Sequence, residues 1–367
     1  MKITILEPFF AGSHKSWAEG YQQHSQHDIK ILSLQGRHWK WRMHGGAVSL
    51  ANQFLESADH PDLLLASDML DLSTFLSLTR KVTSEIPVSA YFHENQITYP
   101  WSDQDPDRLH GRDNHYGFIN FTSALSADAI FFNSDFHREA FLQALGPFLK
   151  QFPDHQEADS IDKIKAKSET LHLGLDLKRF DPFRKEKNNT LPVILWNHRW
   201  EYDKNPDDFF NALFRLDEEG IAYGLIVLGE QYAKFPPIFA VAYRKLRDRI
   251  IHWGYATSFE EYARLLCSGD IALTTSKQDF FGISVMEAIY CGCYPILPKR
   301  LAFPEHFAGE THDPYFYKTT EELYQKLKNL ITNPARIRNS TYSNIPEKYD
   351  WNIMAGSYDA KFANLLK

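Results

Sequence analysis

The chain has 367 residues, which is too long for one ordinary hydrophobic core and suits two α/β domains. Its composition, 43% hydrophobic and 24% charged, is typical of a soluble globular protein, and no apolar stretch is long enough to cross a bilayer. The formal net charge of −7 argues against indiscriminate nucleic-acid binding, although it leaves room for a local basic patch.

The chain begins with MKITILEPFF, which lacks the small-residue cleavage site of a signal peptide and predicts a first strand. Three cysteines, Cys267, Cys291 and Cys293, lie in helix or strand contexts without zinc-ligand spacing. We therefore expect buried thiols in a reducing cytosol, and a cytoplasmic protein with neither a membrane partner nor an obligate protein partner.

Two series of apolar runs predict two sheets. The first lies at 3–10, 62–67, 88–93 and 128–134, and the second at 192–198, 223–229, 250–255, 270–276 and 293–297. Amphipathic helical stretches such as 207–220 and 259–269 separate them, and this alternation predicts parallel strands with crossover helices. We therefore predict an α/β fold of two Rossmann-like, doubly wound parallel-sheet domains that face a central cleft.

The polar segment RKEKNNT, residues 184–190, marks the predicted domain boundary because it has no apolar anchor. We expect an N-terminal domain at 1–185, a C-terminal domain at 191–345, and a final helix at 346–367 that crosses back to the N-terminal domain. Ligands of such folds bind at the carboxyl ends of the strands.

The first such loop is AGSHK. Gly12 would let the backbone approach a ligand, and Ser13, His14 and Lys15 offer hydrogen-bond donors. A simple turn explains the same residues equally well.

The loop HENQITYP follows the third apolar run with His93, Glu94 and Asn95. Polar residues at the end of a buried strand indicate a binding site, because burying them without hydrogen-bond partners would cost roughly several kcal/mol. A satisfied structural network is the competing interpretation. No His/Cys/Asp/Glu cluster has metal-ligand spacing, so we predict no bound metal. The chain also lacks the G-x-x-x-x-G-K-[ST] and G-x-G-x-x-G loops of common nucleotide-binding enzymes.

Two later stretches, residues 197–206 and 278–305, predict a nucleotide-sugar pocket. One places cations just after a strand, and the other places carboxylates around the start of a helix. A helix N-terminus holds a diphosphate through its free N–H groups, nearby cations complete the anion site, and an acidic residue can bind sugar hydroxyls. Surface charges on an ordinary α/β domain are the alternative. The residues concerned are Arg199, Lys204, Asp279 and Glu287, with the helix opening at Phe281 and Gly282.

The segment RHWKWRMH, residues 37–44, interleaves Arg37, Lys40 and Arg42 with Trp39 and Trp41. Cations can contact phosphates while indoles stack on bases, as in proteins that bind single-stranded RNA loops. The segment could equally be an edge strand whose tryptophans belong to the core.

Several long motifs of the chain resemble those of one family. They are GSHK (12–15), RHWKWR (37–42), YFHENQ with a following Tyr-Pro (91–100), FNSDFH (132–137), HRWEYDKNP (198–206), HWGY (252–255) and FFGISVMEAIYCGCYP (280–295). The chain resembles the retaining GT-B glycosyltransferases of family 4 and, more closely and across nearly its whole length, the tRNA-queuosine α-mannosyltransferases.

This resemblance implies transfer of mannose from GDP-mannose, with retention and without a metal or other cofactor, to the cyclopentene-diol of queuosine in a tRNA anticodon loop of the tRNA-Asp type. By that resemblance, Arg199 and Lys204 neutralise the donor diphosphate and Glu287 holds the ribose. The backbone N–H groups of Gly282 and Ile283 bind phosphate, while His93 and position 279 contact the transferred sugar. The family usually has Glu where this chain has Asp279, so the donor sugar is less well determined than the fold. The wider donor-side set adds Gly12, Ser13, His14, Gly229, Tyr255, Phe280 and Phe281, and the acceptor-side set is Lys15, Arg37, Trp39, Lys40, Trp41, Arg42, Glu94, Asn95 and Arg112.

Two alternatives remain open from the sequence. A GT-B enzyme could use another nucleotide sugar on a lipid or polysaccharide, although no basic amphipathic helix for membrane docking stands out. A non-enzymatic nucleotide- or RNA-binding module is the other, although it would not require Arg199, Lys204 and Glu287 at strand ends.

Overall fold

The computed structural model describes residues 1–101, 107, 114–187, 189–231, 234–307, 314–338 and 342–366. The chain divides into two compact units. The first comprises Met1–Asp176 together with Tyr349–Lys367, and the second comprises Leu177–Lys348. The segment 184–190, predicted as the boundary, lies inside the second unit, whereas the predicted division at 345/346 lies three residues before the one between Lys348 and Tyr349.

The first unit is built on a parallel sheet with the strand order β2-β1-β3-β4-β5-β6. Its short central strands are buried along their whole length, as expected where helices cover both faces of a parallel sheet. Two strands were not predicted: β2, at the edge of the sheet, and β6, which has three residues and no apolar side chain. The strands are β1 Lys2–Phe10, β2 Asp28–Gln35, β3 Leu63–Ser67, β4 Val88–Phe92, β5 Ala129–Phe132 and β6 Ser168–Thr170.

The helices of the first unit connect these strands. Side chains cap three of them: Asp71 accepts a hydrogen bond from the N–H of Thr74, Ser134 accepts one from the N–H of His137, and Asp350 accepts one from the N–H of Asn352. The helices are α1 Gly12–His24, α2 Trp39–Ser57, α3 Leu72–Thr83, α4 Asn114–Ser126, α5 Asp135–Leu149, α6 Asp159–Ala166 and α14 Trp351–Ala363. Helix α14 packs against α1 within the first unit, where the Tyr358 hydroxyl accepts a 3.2 Å hydrogen bond from the Trp17 indole.

The second unit repeats the plan with the parallel strand order β12-β11-β10-β7-β8-β9. The two-residue strand β12 was not predicted, because two residues are too few to show the alternation of side chains that marks a strand. The strands are β7 Val193–Asn197, β8 Gly224–Leu228, β9 Ile250–Gly254, β10 Ile271–Leu273, β11 Tyr294–Pro298 and β12 Phe316–Tyr317. The helices are α7 Pro206–Glu218, α8 Ile238–Lys245, α9 Phe259–Ser268, α10 Ile283–Tyr290, α11 Phe303–His306, α12 Thr320–Thr332 and α13 Ala335–Arg338.

Each sheet has a point where the strand order reverses direction. In the first unit it lies between β1 and β3, and in the second between β7 and β10. Ligands of doubly wound sheets bind outside the carboxyl ends of the strands at such points. The loops after these four strands are therefore the first places to look for chemistry. Among the described residues, no helix is both long and apolar enough to span a bilayer.

Candidate active site

The loops after β7 and β10 bring five charged residues of the second unit together. We call Arg199, Glu201, Asp203, Lys204 and Asp279 the C-terminal charged cluster. The first four follow β7, and Asp279 lies in the loop between β10 and α10. The strand-end position predicted for the donor site is thus the place where these charges meet.

Lys204 is the buried centre of this cluster. Its Nζ lies 3.1 Å from Oδ2 of Asp203 and 3.2 Å from Oδ2 of Asp279, and it donates a 2.7 Å hydrogen bond to the carbonyl of Gln278. Burial alone would lower the pKa of Lys204, but the two carboxylates outweigh it and raise the pKa. Burial would raise the pKa of Asp279, but Lys204 and His198 lower it. The pair therefore stays ionised.

Arg199 is the more accessible cation. Its guanidinium lies 3.2 Å from Oε2 of Glu201, and about half of its side chain is exposed. The neighbouring His198 is buried, which lowers its pKa to about 4, and its Nδ1 lies 3.2 Å from the hydroxyl of Ser284. His198 is therefore neutral at pH 7, and the positive charges of the cluster are Arg199 and Lys204.

Helix α10 begins beside this cluster. Gly282 precedes it at φ 87°, a left-handed conformation that favours glycine, and a Cβ there would lie 2.8 Å from the ring of Phe303. The N–H groups of Gly282, Ile283 and Ser284 make no hydrogen bond to another described residue. Free N–H groups at a helix N-terminus form an anion site.

Glu287 lies one turn into α10. Its Oε2 accepts a 2.6 Å hydrogen bond from the hydroxyl of Tyr262, and its Oε1 lies 3.1 Å from the guanidinium of Arg179. Asn197, the last residue of β7, donates to the same Tyr262 hydroxyl at 2.9 Å. Burial and the adjacent Glu287 raise the pKa of Tyr262 well above its usual range, so its hydroxyl stays a donor.

The remaining donor-side candidates of the second unit differ in accessibility. Tyr255 has 69% of its surface exposed, whereas Phe280 and Phe281 are buried. Gly229, at φ 133°, allows a close backbone approach, because a Cβ there would lie 1.9 Å from the carbonyl oxygen of His198. Gly229 thus shapes the loop that carries Arg199.

A second group of polar side chains lies at the reversal point of the first unit. We call Glu7, His14, Asp68, His93 and Glu94 the N-terminal polar cluster. Glu7 lies near the end of β1, His14 in the first turn of α1, and Asp68, His93 and Glu94 just after β3 and β4. All but Glu94 are buried. Electrostatic interactions connect His14 to the three carboxylates.

The contacts within this cluster are specific. Glu7 accepts from the N–H of Phe9 at 2.9 Å and from Nδ1 of His14 at 3.0 Å. Asp68 accepts the backbone N–H of His93 at 2.8 Å. The two ring nitrogens of His93 are buried and have no partner among the described residues. Trp17 packs edge-on against the His93 ring at 4.7 Å.

The same cluster contains the described group of side chains that could hold a metal ion. One ligand atom each from Glu7, His14 and His93 lies within 4.8 Å of the others. The sequence showed no such spacing, because the three residues come from three separate segments. The contact of Glu7 with His14 is also that of an ordinary ion pair, so the absence of a metal stays a prediction.

Other first-unit candidates lie differently. Asn95 is fully buried, and its Oδ1 accepts hydrogen bonds from the N–H groups of Ile97 and Thr98, so its side chain forms a turn and is not presented to a ligand. Gly12 and Ser13 are exposed at the start of α1. Lys15 is exposed and lies 3.7 Å from Glu19. Arg112 lies outside the described residues.

Residues 39–42 of the basic and aromatic run form the first turn of helix α2, and Arg37 precedes that helix, so the edge-strand alternative is wrong. Trp41 is the accessible indole, with 62% of its surface exposed, and Arg37 is exposed as well. Lys40, in contrast, pairs with Asp107 at 2.6 Å and lies over the rings of Trp39, Trp101 and Tyr116 at 5.3–5.9 Å. Arg42 donates to the carbonyl of Gln35 at 3.0 Å.

Several residues that hold these groups in place were not predicted from the sequence. Asp203 and Gln278 contact Lys204, Arg179 and Tyr262 contact Glu287, and Glu7 and Asp68 complete the N-terminal polar cluster. A usable signal existed for Glu7, because a carboxylate inside an otherwise apolar strand is rarely buried without a partner.

Comparison with known proteins identifies the family. The model for the N-terminal domain of tRNA-queuosine alpha-mannosyltransferase matches residues 2–175, and the model for group 1 glycosyl transferases matches residues 178–348. A tRNA-queuosine alpha-mannosyltransferase of Drosophila melanogaster is 34% identical over 347 residues, which cover 92% of this chain and 88% of that protein. The chain belongs to the tRNA-queuosine alpha-mannosyltransferase family. It is therefore a glycosyltransferase, as the motifs of the second unit predicted.

Solved structures agree on the fold. The Anabaena HepE protein in complex with UDP is similar with a TM-score of 0.66 and 14% identity, covering 99% of this chain and 100% of that one. A UDP-forming trehalose-phosphate synthase from Burkholderia xenovorans is similar with a TM-score of 0.69 and 12% identity, covering 100% and 99%. Together with the two parallel sheets, these similarities confirm the predicted GT-B class for this member of the tRNA-queuosine alpha-mannosyltransferase family.

Proposed function

We propose that this chain transfers mannose from GDP-mannose to queuosine in a tRNA anticodon loop, with retention at the anomeric carbon. The observation that carries the proposal is the 34% identity to the Drosophila tRNA-queuosine alpha-mannosyltransferase across 92% of this chain. Similarity of that extent covers both units, so it includes the two reversal points where ligands of this fold class bind.

The donor is expected in the second unit. Its diphosphate would accept hydrogen bonds from the free N–H groups that precede and open α10, and Arg199 would exchange its contact with Glu201 for a phosphate oxygen. Lys204 is held by two carboxylates, so it would act from its present place. Glu287 would bind the ribose, since Tyr262 and Arg179 already orient its carboxylate.

The chemistry needs stabilisation of the leaving group. Negative charge grows on the diphosphate as the bond to the sugar breaks, and preorganised cations and N–H groups stabilise that charge. Asp279 lies against Lys204, where it can accept a hydrogen bond from a sugar hydroxyl. In the first unit, His93 offers two unpartnered ring nitrogens to a hydroxyl-bearing ligand.

The acceptor is expected to contact the first unit. Trp41 and Arg37, both exposed at the start of α2, can stack on an unpaired base and contact a phosphate. Since tRNA is the acceptor, we propose that the enzyme works in the cytoplasm and without an obligate protein partner.

Transfer assays with purified tRNA test the proposal directly. The chain is incubated with GDP-mannose and either queuosine-containing tRNA or the same tRNA prepared without queuosine, and digested nucleosides are analysed by mass spectrometry. We expect one added hexose on queuosine and none on the queuosine-free tRNA. UDP-glucose in place of GDP-mannose is the control for the donor, which matters because Asp279 replaces the usual Glu. Absence of a hexosylated nucleoside with every donor contradicts the proposal.

Metal independence is part of the proposal, because cations and N–H groups of the second unit would neutralise the diphosphate. We expect the transfer rate in excess EDTA to equal the rate without it, within about twofold. The assay is repeated with Glu7→Gln, since Glu7 belongs to the described group that could hold an ion. Loss of transfer in EDTA that Mg²⁺, Mn²⁺ or Zn²⁺ restores contradicts the prediction.

A further inference from the structure

Glu7 is a buried carboxylate whose hydrogen bonds lie within the first unit. It is fully buried, and its two oxygens accept from the N–H of Phe9 and from Nδ1 of His14. Burial alone would lower the pKa of His14, but Glu7 raises it to about 9. Since Nδ1 is taken by Glu7, the remaining N–H of a protonated His14 is at Nε2, which has no partner among the described residues.

His93 packs beside His14 in the opposite protonation state. Their ring centroids are 4.2 Å apart, and within the part of the chain that the structure describes neither ring nitrogen of His93 has a hydrogen-bond partner. Burial lowers the pKa of His93 well below its usual range, and electrostatic interactions with His14 and His137 lower it further. An imidazolium donor therefore lies against a neutral imidazole that can accept a proton in a hydrogen bond.

We propose that Glu7 is a positioning residue that holds Nδ1 of His14, so that the Nε2–H of His14 donates to one oxygen of a bound polyol while His93 accepts from a neighbouring hydroxyl. The ligand class is a molecule with adjacent hydroxyl groups, as in a sugar ring or a cis-diol. This inference rests on the proposed function and adds Glu7 and the division of roles between the two histidines. Binding makes and breaks no covalent bond at this site.

Other titratable groups face His14 and must be included in its pH dependence. They are Glu7 on β1, Asp68 after β3, and Glu94 and His93 after β4. On α1 itself, Lys15 is exposed and paired with Glu19. Burial raises the pKa of Asp68 to about 8, so this carboxyl is mostly protonated at pH 7. When Asp68 ionises above pH 8, its negative charge favours the protonated form of His14. Asp68 therefore does not lower the pH at which His14 loses its proton.

The sign of the pH effect follows from these groups. The His14 donor is present below pH 9 and is lost as pH rises through the pKa of about 9. Without the charge of Glu7, burial lowers the His14 pKa, so Glu7→Gln should lose the donor at a pH at least about one unit lower. A merely structural role of Glu7 would lower activity at every pH and leave the pH profile in place.

The experiment combines histidine titration with kinetics on the full chain. Ring ¹⁵N signals of His14 and His93 are followed from pH 5 to 10 in the native chain, Glu7→Gln, Glu7→Asp and the exposed control Glu85→Gln. The kcat/KM for transfer from GDP-mannose to queuosine-containing tRNA is measured over the same range. We expect Glu7→Gln to lower kcat/KM at pH 7.5 by roughly 10- to 100-fold, as expected for a lost hydrogen bond to a charged group. Glu7→Asp should recover part of that loss, and Glu85→Gln should match the native chain.

A second variant keeps the test decisive if Glu7→Gln does not fold. His14→Gln offers an amide N–H that does not titrate in this range, so its rate should be lower but should show no alkaline decline near pH 9. An alkaline decline that stays in His14→Gln overturns the proposal. So does a His14 titration that is the same in Glu7→Gln as in the native chain.

Two further outcomes are distinguishable. A stoichiometric metal ion that the native chain holds and Glu7→Gln releases overturns the inference, because the histidines are then its ligands. A native chain without transfer activity contradicts the proposed function, and the ring titrations still decide whether Glu7 holds His14 protonated.

Discussion

The side chain of Lys204 keeps its charge inside the second unit because Asp203 and Asp279 lie within 3.2 Å of its Nζ. Removing one member of a buried ion pair leaves the other charges uncompensated, and this costs more than the pair itself contributes. The exposed pair of Arg199 with Glu201 is different, since exposed ion pairs contribute little to stability. Of the two cations of the proposed donor site, Lys204 therefore matters for folding stability and Arg199 contributes little to it.

This difference predicts distinct effects of substituting the two cations. Lys204→Met should reduce the free energy of unfolding by about 3–5 kcal/mol, because it strands Asp203 and Asp279. Arg199→Ala should change it by less than about 1 kcal/mol. Both should lower transfer by about 100-fold or more, since each removes charge stabilisation of the leaving diphosphate. Urea denaturation and single-turnover rates measure the two effects, and equal stability losses would contradict the assignment.

At the residue level, the sequence predicted the positions of the charges better than their partners. Arg199, Lys204 and His93 follow apolar runs, so strand ends sufficed to find them. The contact of Lys204 with Asp279 joins residues 75 positions apart. The sequence placed both residues in one predicted pocket, but it did not predict that they form an ion pair. Asn95 was predicted as a ligand contact because it is polar at a strand end, but its amide satisfies a local turn.

The start of helix α10 is the element with the strictest backbone requirement in the candidate donor site. Gly282 combines a positive φ with a close approach to Phe303, so alanine there is both strained and crowded. Gly220, after α7, has a similar φ of 71° but no atom within 4 Å of a Cβ. Comparing alanine substitutions at the two glycines therefore separates the effect of backbone strain from that of side-chain crowding.

We expect Gly282→Ala to weaken GDP binding by about tenfold or more, because relief of the crowding shifts the N–H groups that would hold phosphate. Both substitutions place a Cβ on a residue with a positive φ, which should lower the free energy of unfolding by about 1–2 kcal/mol. Gly220→Ala should nevertheless leave GDP binding unchanged. Calorimetric titration with GDP compares them. Equal loss of GDP affinity in both variants would show that the effect is one of general stability.

Helix α2 shows where local pattern was ambiguous. The interleaved Trp and basic residues at 37–42 fit an edge strand or a recognition segment, and in the structure residues 39–42 form the first turn of a helix. On a strand Trp39 and Trp41 would share one face, whereas on a helix they lie on different faces, and six residues are too few to show which period applies. Edge strand β2 was missed for a related reason, since only one of its residues is fully buried.

The two tryptophans of α2 therefore lead to different expectations. Trp41→Ala should weaken binding of queuosine-containing tRNA by about 1–3 kcal/mol, the usual contribution of a base stacked on an aromatic ring. Trp39→Ala should change it less, because Trp39 packs on Tyr116 at 5.2 Å. Arg37→Ala should reduce the salt dependence by about one released counterion. The tRNA affinities are measured across a salt series, with GDP binding as the control. An unchanged tRNA affinity of Trp41→Ala would show that this indole does not stack on a base.

At the scale of the whole chain, the first unit is closed by residues from both ends of the sequence. Helix α14 follows the second unit along the chain, yet its Trp351 packs within the first unit against Gly20 and Gly174. A Cβ at either glycine would lie within 2.3 Å of the indole. A returning helix at 346–367 was predicted from the sequence, but the glycines that contact its Trp351 lie far away along the chain and carried no local signal.

The closing role of α14 predicts a local loss of stability that the second unit does not share. Trp351→Ala removes a buried indole, which costs about 3–5 kcal/mol. Hydrogen exchange of the full chain should therefore quicken in β1, α1 and α14, while amides of β7, β8 and β10 keep their protection. Ile353→Ala, two residues later and 56% exposed, is the matched control and should change neither set. If Trp351→Ala accelerated exchange equally in both units, the two would unfold as one cooperative body, and the division at Asp176 and Tyr349 would describe contacts but not stability. If only the first unit responds, the N-terminal polar cluster depends on a helix that follows the whole second unit along the chain.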